Sequence, residues 1–193
     1  MWLAAFVLMS AALELPILQA VPQPDEEFCV ECCSLYCAAY PTVRVSSHLP
    51  LQHRNEYGAE VLADGKRQTA WVVAHGPGEW FELAFEASGF HPGVPEDNKS
   101  TGVDRLYLWN GYNKSPEHWR DHARAKHLRL DVDERPVAVI TLLDEERPQR
   151  VGLPRTLLRR GMRFRFTIVD VFPGRRFDEL AVSEVRLDGY GHH

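Results

Sequence analysis

Side chains that can stack on or hydrogen-bond to a ligand are crowded into one stretch, VDRLYLWNGYNKSPEHWRDHARAKHLRL. Tyr112 and Trp119 offer aromatic faces, while Asn110, Asn113 and Lys114 offer amide and ammonium donors. Carbohydrates use this combination, because their C–H faces stack on rings and their hydroxyl groups need directional partners. We therefore predict that these five residues contribute to a ligand-binding loop. The Asn-Gly pair is also a strong turn signal, so a loop that only caps its own fold is the alternative.

Three histidines in the same stretch raise the question of a metal. His118, His122 and His127 follow one another at spacings of four and five residues, and the first two can share one face of a helix. A metal site would need a third ligand and a supporting shell, which the pattern does not display. We expect a solvated histidine pair, with zinc as the alternative.

A second polar cluster surrounds a Pro-Gly turn in DVFPGRRFDELAVSE. Asp170 and Asp178 are its candidate ligand-binding residues, and the alternative is a charged hairpin tip with Phe172 and Phe177 tucked into the fold. The acids could act as an acid/base pair, but nothing identifies a nucleophile. G-x-S-x-G, H-E-x-x-H and phosphate-loop motifs do not occur, so we predict no catalytic residue.

Seven arginines without an intervening acid lie between positions 147 and 165. They are Arg147, Arg150, Arg155, Arg159, Arg160, Arg163 and Arg165. Such a run is usually a solvated face, yet it can also hold carboxylate, sulfate or phosphate groups of an acidic polymer. Strand alternation aims Arg163 and Arg165 away from the core.

Composition limits the remaining function classes. A chain of 193 residues with 45% hydrophobic residues forms one domain. Its net charge of −5 is not that of a nucleic-acid-binding protein.

The N-terminal segment reads MWLAAFVLMSAALELPILQA and then changes abruptly to VPQPDEE. We interpret residues 1–20 as a signal peptide cleaved near Ala20, which predicts a secreted or periplasmic, cell-envelope protein. A short membrane anchor or a wrongly assigned start are the alternatives. Membrane contact would therefore come only from an uncleaved N-terminal segment.

All four cysteines fall within residues 21–54, which we interpret as a cysteine-containing segment and linker. They are Cys29, Cys32, Cys33 and Cys37. In an exported protein we expect local disulfides. A thiolate metal site is the alternative, but the ligands of a structural zinc usually come from two separated knuckles, whereas these cysteines lie in one short stretch.

Alternating apolar residues predict strands over most of the remaining chain. EWFELAF, DRLYLW, KHLRLDV and MRFRFTIV each have period two, VAVITLL fits a strand buried on both faces, and AVSEVRL closes the series. SPEHWRDHAR predicts a short helix opened by Ser115 with Pro116 at its first position. These elements predict an all-β antiparallel sandwich, a jelly roll, over residues 55–190.

Six blocks carry a family resemblance: VLADGKRQTAW, GPGEWFELAF, LWNGYNKSPEHW, RAKHLRL, ITLLDEERPQRVGL and FTIVDVFPGRRFDELAVSEVRL. In this order they resemble the discoidin-like, galactose-binding-like β-sandwich. They are most similar to the subgroup known from the glycan-binding translocation domain of streptococcal NAD glycohydrolase. The resemblance covers residues 55–188, without room for the glycohydrolase itself. It adds Arg124 of RAK and His122, where the family often has Asn, to the ligand-binding candidates.

A structural calcium site follows partly from the residues and partly from this resemblance. Asp64 and Thr69, in the turn DGKRQTAW, supply the oxygen ligands that a hard cation prefers, although a plain Asp-Gly turn is the alternative. Related carbohydrate-binding modules complete such a site with a glutamate on the last strand, which implies Glu184 here.

The predicted function is a non-catalytic exported module that binds a carbohydrate, a glycan or cell-envelope polymer, through loops at one end of the sandwich. A protein-interaction domain of the envelope is the first alternative, because fold alone does not separate the two. A small hydrolase that uses its histidines and carboxylates is the second. No nucleic-acid partner and no cofactor other than calcium is expected.

Overall fold

The computed structural model describes residues 14–24, 35–52, 55–94 and 100–191. Cys29, Cys32 and Cys33 lie outside these residues, as does most of the predicted signal peptide. Cys37 is described and is exposed. The disulfides and the thiolate metal site therefore stay predictions.

Ten strands form the body of the described part of the chain. They are β1 (Ile17–Pro22), β2 (Thr42–Val45), β3 (Trp71–Val73), β4 (Trp80–Phe85), β5 (Gly102–Asn110), β6 (Arg124–Val132), β7 (Arg135–Thr141), β8 (Pro148–Leu157), β9 (Met162–Phe172) and β10 (Leu180–Tyr190). Two 3₁₀ helices, Ala59–Ala63 and Ala87–Gly89, and one α-helix, α1 (Pro116–Asp121), accompany them.

The strands run in the order β2-β4-β9-β6-β7-β1-β8-β5-β10-β3. This continuous sheet folds over into two layers, with β2, β4, β9, β6 and β7 in the first and β8, β5, β10 and β3 in the second. β1 connects them, because it pairs in parallel with β7 and antiparallel with β8. The predicted all-β sandwich is confirmed, and the other strand pairs are antiparallel.

The core lies between the layers, where the alternating positions predicted it. Phe81 stacks on Phe166 with ring centroids 5.1 Å apart, and Trp71 meets Phe81 edge to face. Full burial of an aromatic or aliphatic side chain contributes about 1.5–3 kcal/mol, so each of these rings stabilises the fold by about that amount. The predicted inward faces of β4, β5 and β9 are confirmed.

The strand that is buried on both faces is β10, not β7. In β7, Ala138 and Ile140 are buried, but Val137 and Val139 are only half-buried. Every residue from Leu180 to Gly189 is buried, because the 3₁₀ helix Ala59–Ala63 covers the outer side of β10. The prediction that the apolar run of β7 is buried on both faces was therefore wrong. The polar residues of β10 are buried instead, because a helix that precedes them in the chain covers them.

Two strands precede residue 55, where the sandwich was predicted to begin. β2 pairs with β4, and β1 lies between β7 and β8 with Ala20 in the core. A cleavage at Ala20 would divide β1. The predicted processing of residues 1–20 stays a prediction, and it conflicts with this pairing.

Candidate functional site

Asn110, the last residue of β5, ties the two layers together at one end of the sandwich. Its amide nitrogen donates to the carbonyl of Ala125 at 2.7 Å, and its amide oxygen accepts from the backbone N–H of Ala125 at 3.1 Å. Ala125 lies on β6 in the other layer. The side chain is 1% exposed, so Asn110 faces the interior and supports the loop that follows it.

The next residues form a compact support for α1. Gly111 has φ +86°, a left-handed conformation that favours glycine, and a Cβ there would come within 2.7 Å of the Trp119 ring. The Trp119 indole N–H donates to the carbonyl of Asn110 at 3.0 Å, and the guanidinium of Arg124 lies 4.4 Å from the Trp119 ring centroid. Arg124 also binds Asp144 through two hydrogen bonds of 2.7 and 3.2 Å. These polar groups are satisfied within the chain.

Asn113 and Lys114 complete the loop in different ways. The Asn113 side chain donates to the carbonyls of Asn110 and Gly111, both at 3.1 Å, which holds the turn closed. Lys114 reaches the side chain of Asn55 at 3.1 Å and is exposed. Asn113 is half-buried and Lys114 is exposed, so Lys114 is the more accessible of the two.

The predicted helix is confirmed as α1, and it positions both histidines. Ser115 caps it by accepting from the backbone N–H of His118 at 3.3 Å, and Pro116 occupies the first turn. His122 follows the helix, and its Nδ1–H donates to the carbonyl of His118 at 2.9 Å. The two imidazole rings are parallel, with centroids 6.2 Å apart.

An open groove of about 430 Å³ lies beside these histidines. Its lining residues are Asn55, Tyr57, Tyr112, Glu117, His118, Asp121, His122, Arg176 and Phe177. It continues into a smaller recess of about 150 Å³ that Leu49, Gln52, Val72 and Glu179 also line. Three chain segments distant in sequence thus meet at one end of the sandwich.

Aromatic rings form the walls of this groove. Tyr112 meets Tyr57, His118 and His122 edge to face, and His122 lies 4.9 Å from Phe177 between centroids. Phe177 is 38% exposed, so its ring faces the groove mouth instead of being tucked into the sandwich. Sequence reasoning missed Tyr57 because it lies in an irregular segment, and the alternative interpretation, with Phe177 tucked into the fold, is not what the structure has.

Ion pairs between α1 and the loop after β9 fix the position of Phe177. The buried carboxylate of Asp121 accepts from Arg175 at 2.9 Å, and Arg176 lies 3.7 Å from its other oxygen. The backbone N–H of Phe177 donates to the carbonyl of Asp121 at 2.9 Å. Ion pairs and a backbone hydrogen bond therefore hold this wall of the groove in place.

Burial alters the proton affinity of two groove residues. It raises the pKa of Tyr112 to about 12, helped by the neighbouring Tyr57, so the Tyr112 hydroxyl stays protonated at neutral pH. Burial lowers the pKa of His118, and Lys114 and His122 lower it further. The groove therefore presents a neutral imidazole and phenol, which can hydrogen-bond to hydroxyl groups.

The two predicted acidic ligand-binding residues are not brought together. Asp170 lies on β9 and pairs with Lys126 at 2.8 Å, and the hydrogen bond from Lys126 lowers its pKa. It does not line the groove. Asp178 is exposed beside Phe177 at the edge of the groove. Of the nine predicted ligand-binding residues, Tyr112 and His122 line the groove, and Lys114 and Asp178 lie at its edge.

The three predicted calcium ligands do lie together, at the turn before β3. Thr69 donates to the carboxylate of Asp64 at 3.0 Å, and Glu184 accepts from the backbone N–H of Gly65 at 3.1 Å. Gly65 has φ +75°, which lets the turn close against β10. Burial raises the pKa of Glu184 to about 8, and the charge of Asp64 raises it too.

This donor set fits a hard cation. Two carboxylates converge, and Glu184 is only 4% exposed, so a divalent cation would neutralise a buried charge. No group of three or more His, Cys, Asp or Glu suited to a metal occurs in residues 14–24, 35–52, 55–94 and 100–191. Further ligands would therefore have to be hydroxyl, carbonyl or water oxygens.

Comparison with protein families identifies the fold's relatives. The family described as the NAD glycohydrolase translocation F5/8 type C domain matches residues 35–188. The chain belongs to this family. No curated protein matches it in sequence.

Solved structures that resemble the chain include carbohydrate-binding modules. CBM32-1 and CBM32-2 of Clostridium perfringens ZmpB, in complex with GalNAc, share 10% identity at a TM-score of 0.59, over 94% of this chain and 41% of that one. CBM32-5 of Clostridium perfringens GH89, in complex with GalNAc-β-1,3-galactose, shares 15% identity at a TM-score of 0.50. The match covers 77% of this chain and 94% of that one. The arabinofuranosyltransferase AftD from Mycobacteria shares 13% identity at a TM-score of 0.52. The match covers 78% of this chain and 11% of that one.

These similarities establish the fold of this family member. The chain spans about a tenth of the AftD chain and less than half of the ZmpB fragment. Within the described residues, no helix has the length and apolarity needed to cross a membrane.

Proposed function

We propose that this chain is a non-catalytic binding domain that recognises a carbohydrate in the groove formed by Tyr57, Tyr112, His118, His122 and Phe177. The single observation that carries the proposal is the combination of an exposed Phe177 ring with half-buried rings and neutral hydrogen-bonding groups in one groove. Sugar rings stack on aromatic faces, and imidazole and phenol groups bind hydroxyls in defined directions.

The structural relatives support this choice of ligand class. Two of the similar structures hold GalNAc or a GalNAc-containing disaccharide. These structures share the fold of this chain. The framework residues Asn110, Asn113, Trp119 and Arg124 support the groove, and Lys114 and Asp178 are proposed contacts at its edge.

The Asp64, Thr69 and Glu184 cluster is proposed to hold a structural calcium ion. The bound ion would keep the ionised Glu184 carboxylate stable at neutral pH and would fix the turn against β10. It lies apart from the groove in sequence and lining, so its role would be support rather than ligand contact. A secreted or cell-envelope location, where glycan polymers and calcium are available, is part of the same proposal.

A glycan array with the purified domain tests the proposal, followed by titration calorimetry on the best ligand. Phe177→Ala and His122→Ala should each weaken binding about tenfold or more, since each loses a groove contact. Tyr40→Ala and His127→Ala are matched controls, because Tyr40 is exposed elsewhere and His127 lies on β6 beside Asp170. Absence of sugar binding, with capture of one stoichiometric protein partner, would favour the protein-interaction function instead.

A further inference from the structure

A row of alternating charges crosses the outer face of the first layer. Arg44 on β2 is opposite Glu82 on β4, Glu82 is opposite Arg165 on β9, and Arg165 is opposite Asp131 on β6. At the usual spacing between strands, the row is about 14 Å long. None of these residues lines the aromatic groove.

In this row the acidic side chains are buried and the basic side chains are exposed. The side chains of Glu82 and Asp131 are 4% and 7% exposed, whereas those of Arg44 and Arg165 are 46% and 37% exposed. Arg165 binds Glu82 at 2.9 Å, and Arg129 binds Asp131 at 3.0 Å with 47% of its own side chain exposed. The carboxylates form the floor, and guanidinium groups form the accessible surface.

A groove of about 340 Å³ follows this surface. Its lining residues are Gly78, Trp80, Glu82, Arg129, Asp131, Glu134, Pro136, Arg163, Arg165 and Thr167. The guanidinium of Arg165 lies 4.2 Å from the Trp80 ring centroid, which holds it flat. The side chain of Arg163 is exposed and has no ion pair with any acid in the described part of the chain.

We infer that this groove binds a carboxylate-bearing polysaccharide, such as a uronic acid polymer. Guanidinium groups bind carboxylates through two parallel hydrogen bonds, and Arg163 and the exposed edges of Arg129 and Arg165 offer that geometry. The buried acids are already paired with Arg129 and Arg165 and hold them in place, so these pairs are close to neutral and Arg163 supplies most of the positive charge that an anion meets. Glu134 is the exposed acid at the rim, and it restricts anionic groups to the arginine side.

An extended ligand fits better than a small anion, because the arginines are distributed across the strands and do not converge on one point. This second site shares no residue with the proposed sugar groove. Its success or failure is therefore independent of the proposed function.

Titration calorimetry with a hexamer of galacturonic acid, its methyl ester and a single-stranded DNA oligomer of equal charge tests this inference. The acid should bind and the ester should not, and rising salt should weaken binding. Arg163→Gln and Arg129→Gln should each weaken it about tenfold, since a hydrogen bond to a charged group is lost. Arg155→Gln on β8 is the matched control, because that side chain is 75% exposed in the other layer.

Unchanged affinity in Arg155→Gln and in Phe177→Ala would support a site on this face. Equal binding of the ester or the DNA, or an equal loss in Arg155→Gln, would overturn the inference. Failure of the acid to bind at millimolar concentration would also overturn it, and would leave the result of the glycan array unaffected. Circular dichroism of each variant verifies that it is folded.

Discussion

The imidazole rings of His118 and His122 lie parallel, with 4° between their planes and 6.2 Å between their centroids. Each also meets the edge of Tyr112, at 5.1 and 5.3 Å. The helix α1 brings the pair together, and its Trp119 packs against Gly111 at the end of the sandwich. The two histidines are therefore components of one groove wall, not an independent solvated pair.

The first prediction concerns the proton affinity of His118. Its pKa is lowered by burial first and by Lys114 and His122 next. His122→Asn removes one of the groups that lower this pKa and reduces the burial of His118, so the pKa of His118 should rise towards the ordinary value of about 6.5. NMR titration of the imidazole C–H signals measures this change. His91 lies elsewhere in the fold and is hydrogen-bonded to the carbonyl of Tyr36, so His91→Asn should leave the pKa of His118 unaltered.

The second prediction concerns the link between the layers. Asn110→Ala removes both hydrogen bonds to Ala125 and leaves buried backbone groups unpaired, so the free energy of unfolding should fall by about 2–4 kcal/mol. Urea denaturation measures the loss. Asn55→Ala, at a half-buried surface position, should change it by less than about 0.5 kcal/mol. A loss of the same size in both variants would contradict the role of Asn110.

The contrast between Asn110 and Tyr57 shows how far the sequence alone predicts this site. Alternating Phe81, Leu83 and Phe85 predicted an inward face correctly, because the period of a strand is local. Asn110 was expected to reach ligand, but its amide pairs with a strand in the other layer. Tyr57 was missed since its proximity to Tyr112 depends on how the segment around residues 49–57 packs against β3, which no local spacing encodes.

The third prediction is a dependence of stability on pH and calcium. The pKa of Glu184 is raised to about 8 from an unfolded value of 4.5, so the folded state binds the extra proton between these values. Without calcium, stability should fall as the pH rises from about 4.5 to 8, by roughly 2–5 kcal/mol. Calcium binds the ionised form and should restore most of this loss.

Thermal denaturation at pH 5 and pH 8, with calcium or with a chelator, measures this effect. Glu184→Gln should remove the pH dependence and the calcium response together. Glu60→Gln on the adjacent 3₁₀ helix is the control, because Glu60 is exposed. An unchanged melting temperature on addition of millimolar calcium at pH 8 would exclude the proposed ion.

The fourth prediction concerns the strand that joins the layers. A chain that starts at Glu14 keeps β1, whereas one that starts at Val21 loses Ile17 to Ala20 and with them the pairing to β7 and the core contact of Ala20. The shorter chain should be less stable by about 2 kcal/mol or more, and it exposes the edge of β7 to aggregation. Urea denaturation and light scattering of the two chains compare them. Equal stability would show that β1 is dispensable, as cleavage near Ala20 requires.

Chemical-shift mapping of the domain with GalNAc-β-1,3-galactose tests the central claim most directly. The account predicts shifts concentrated at Tyr57, Tyr112, His122 and Phe177, with the sugar recovered chemically unchanged. Shifts confined to another face, conversion of the sugar into a product, or no shifts with any sugar of a broad panel would contradict it.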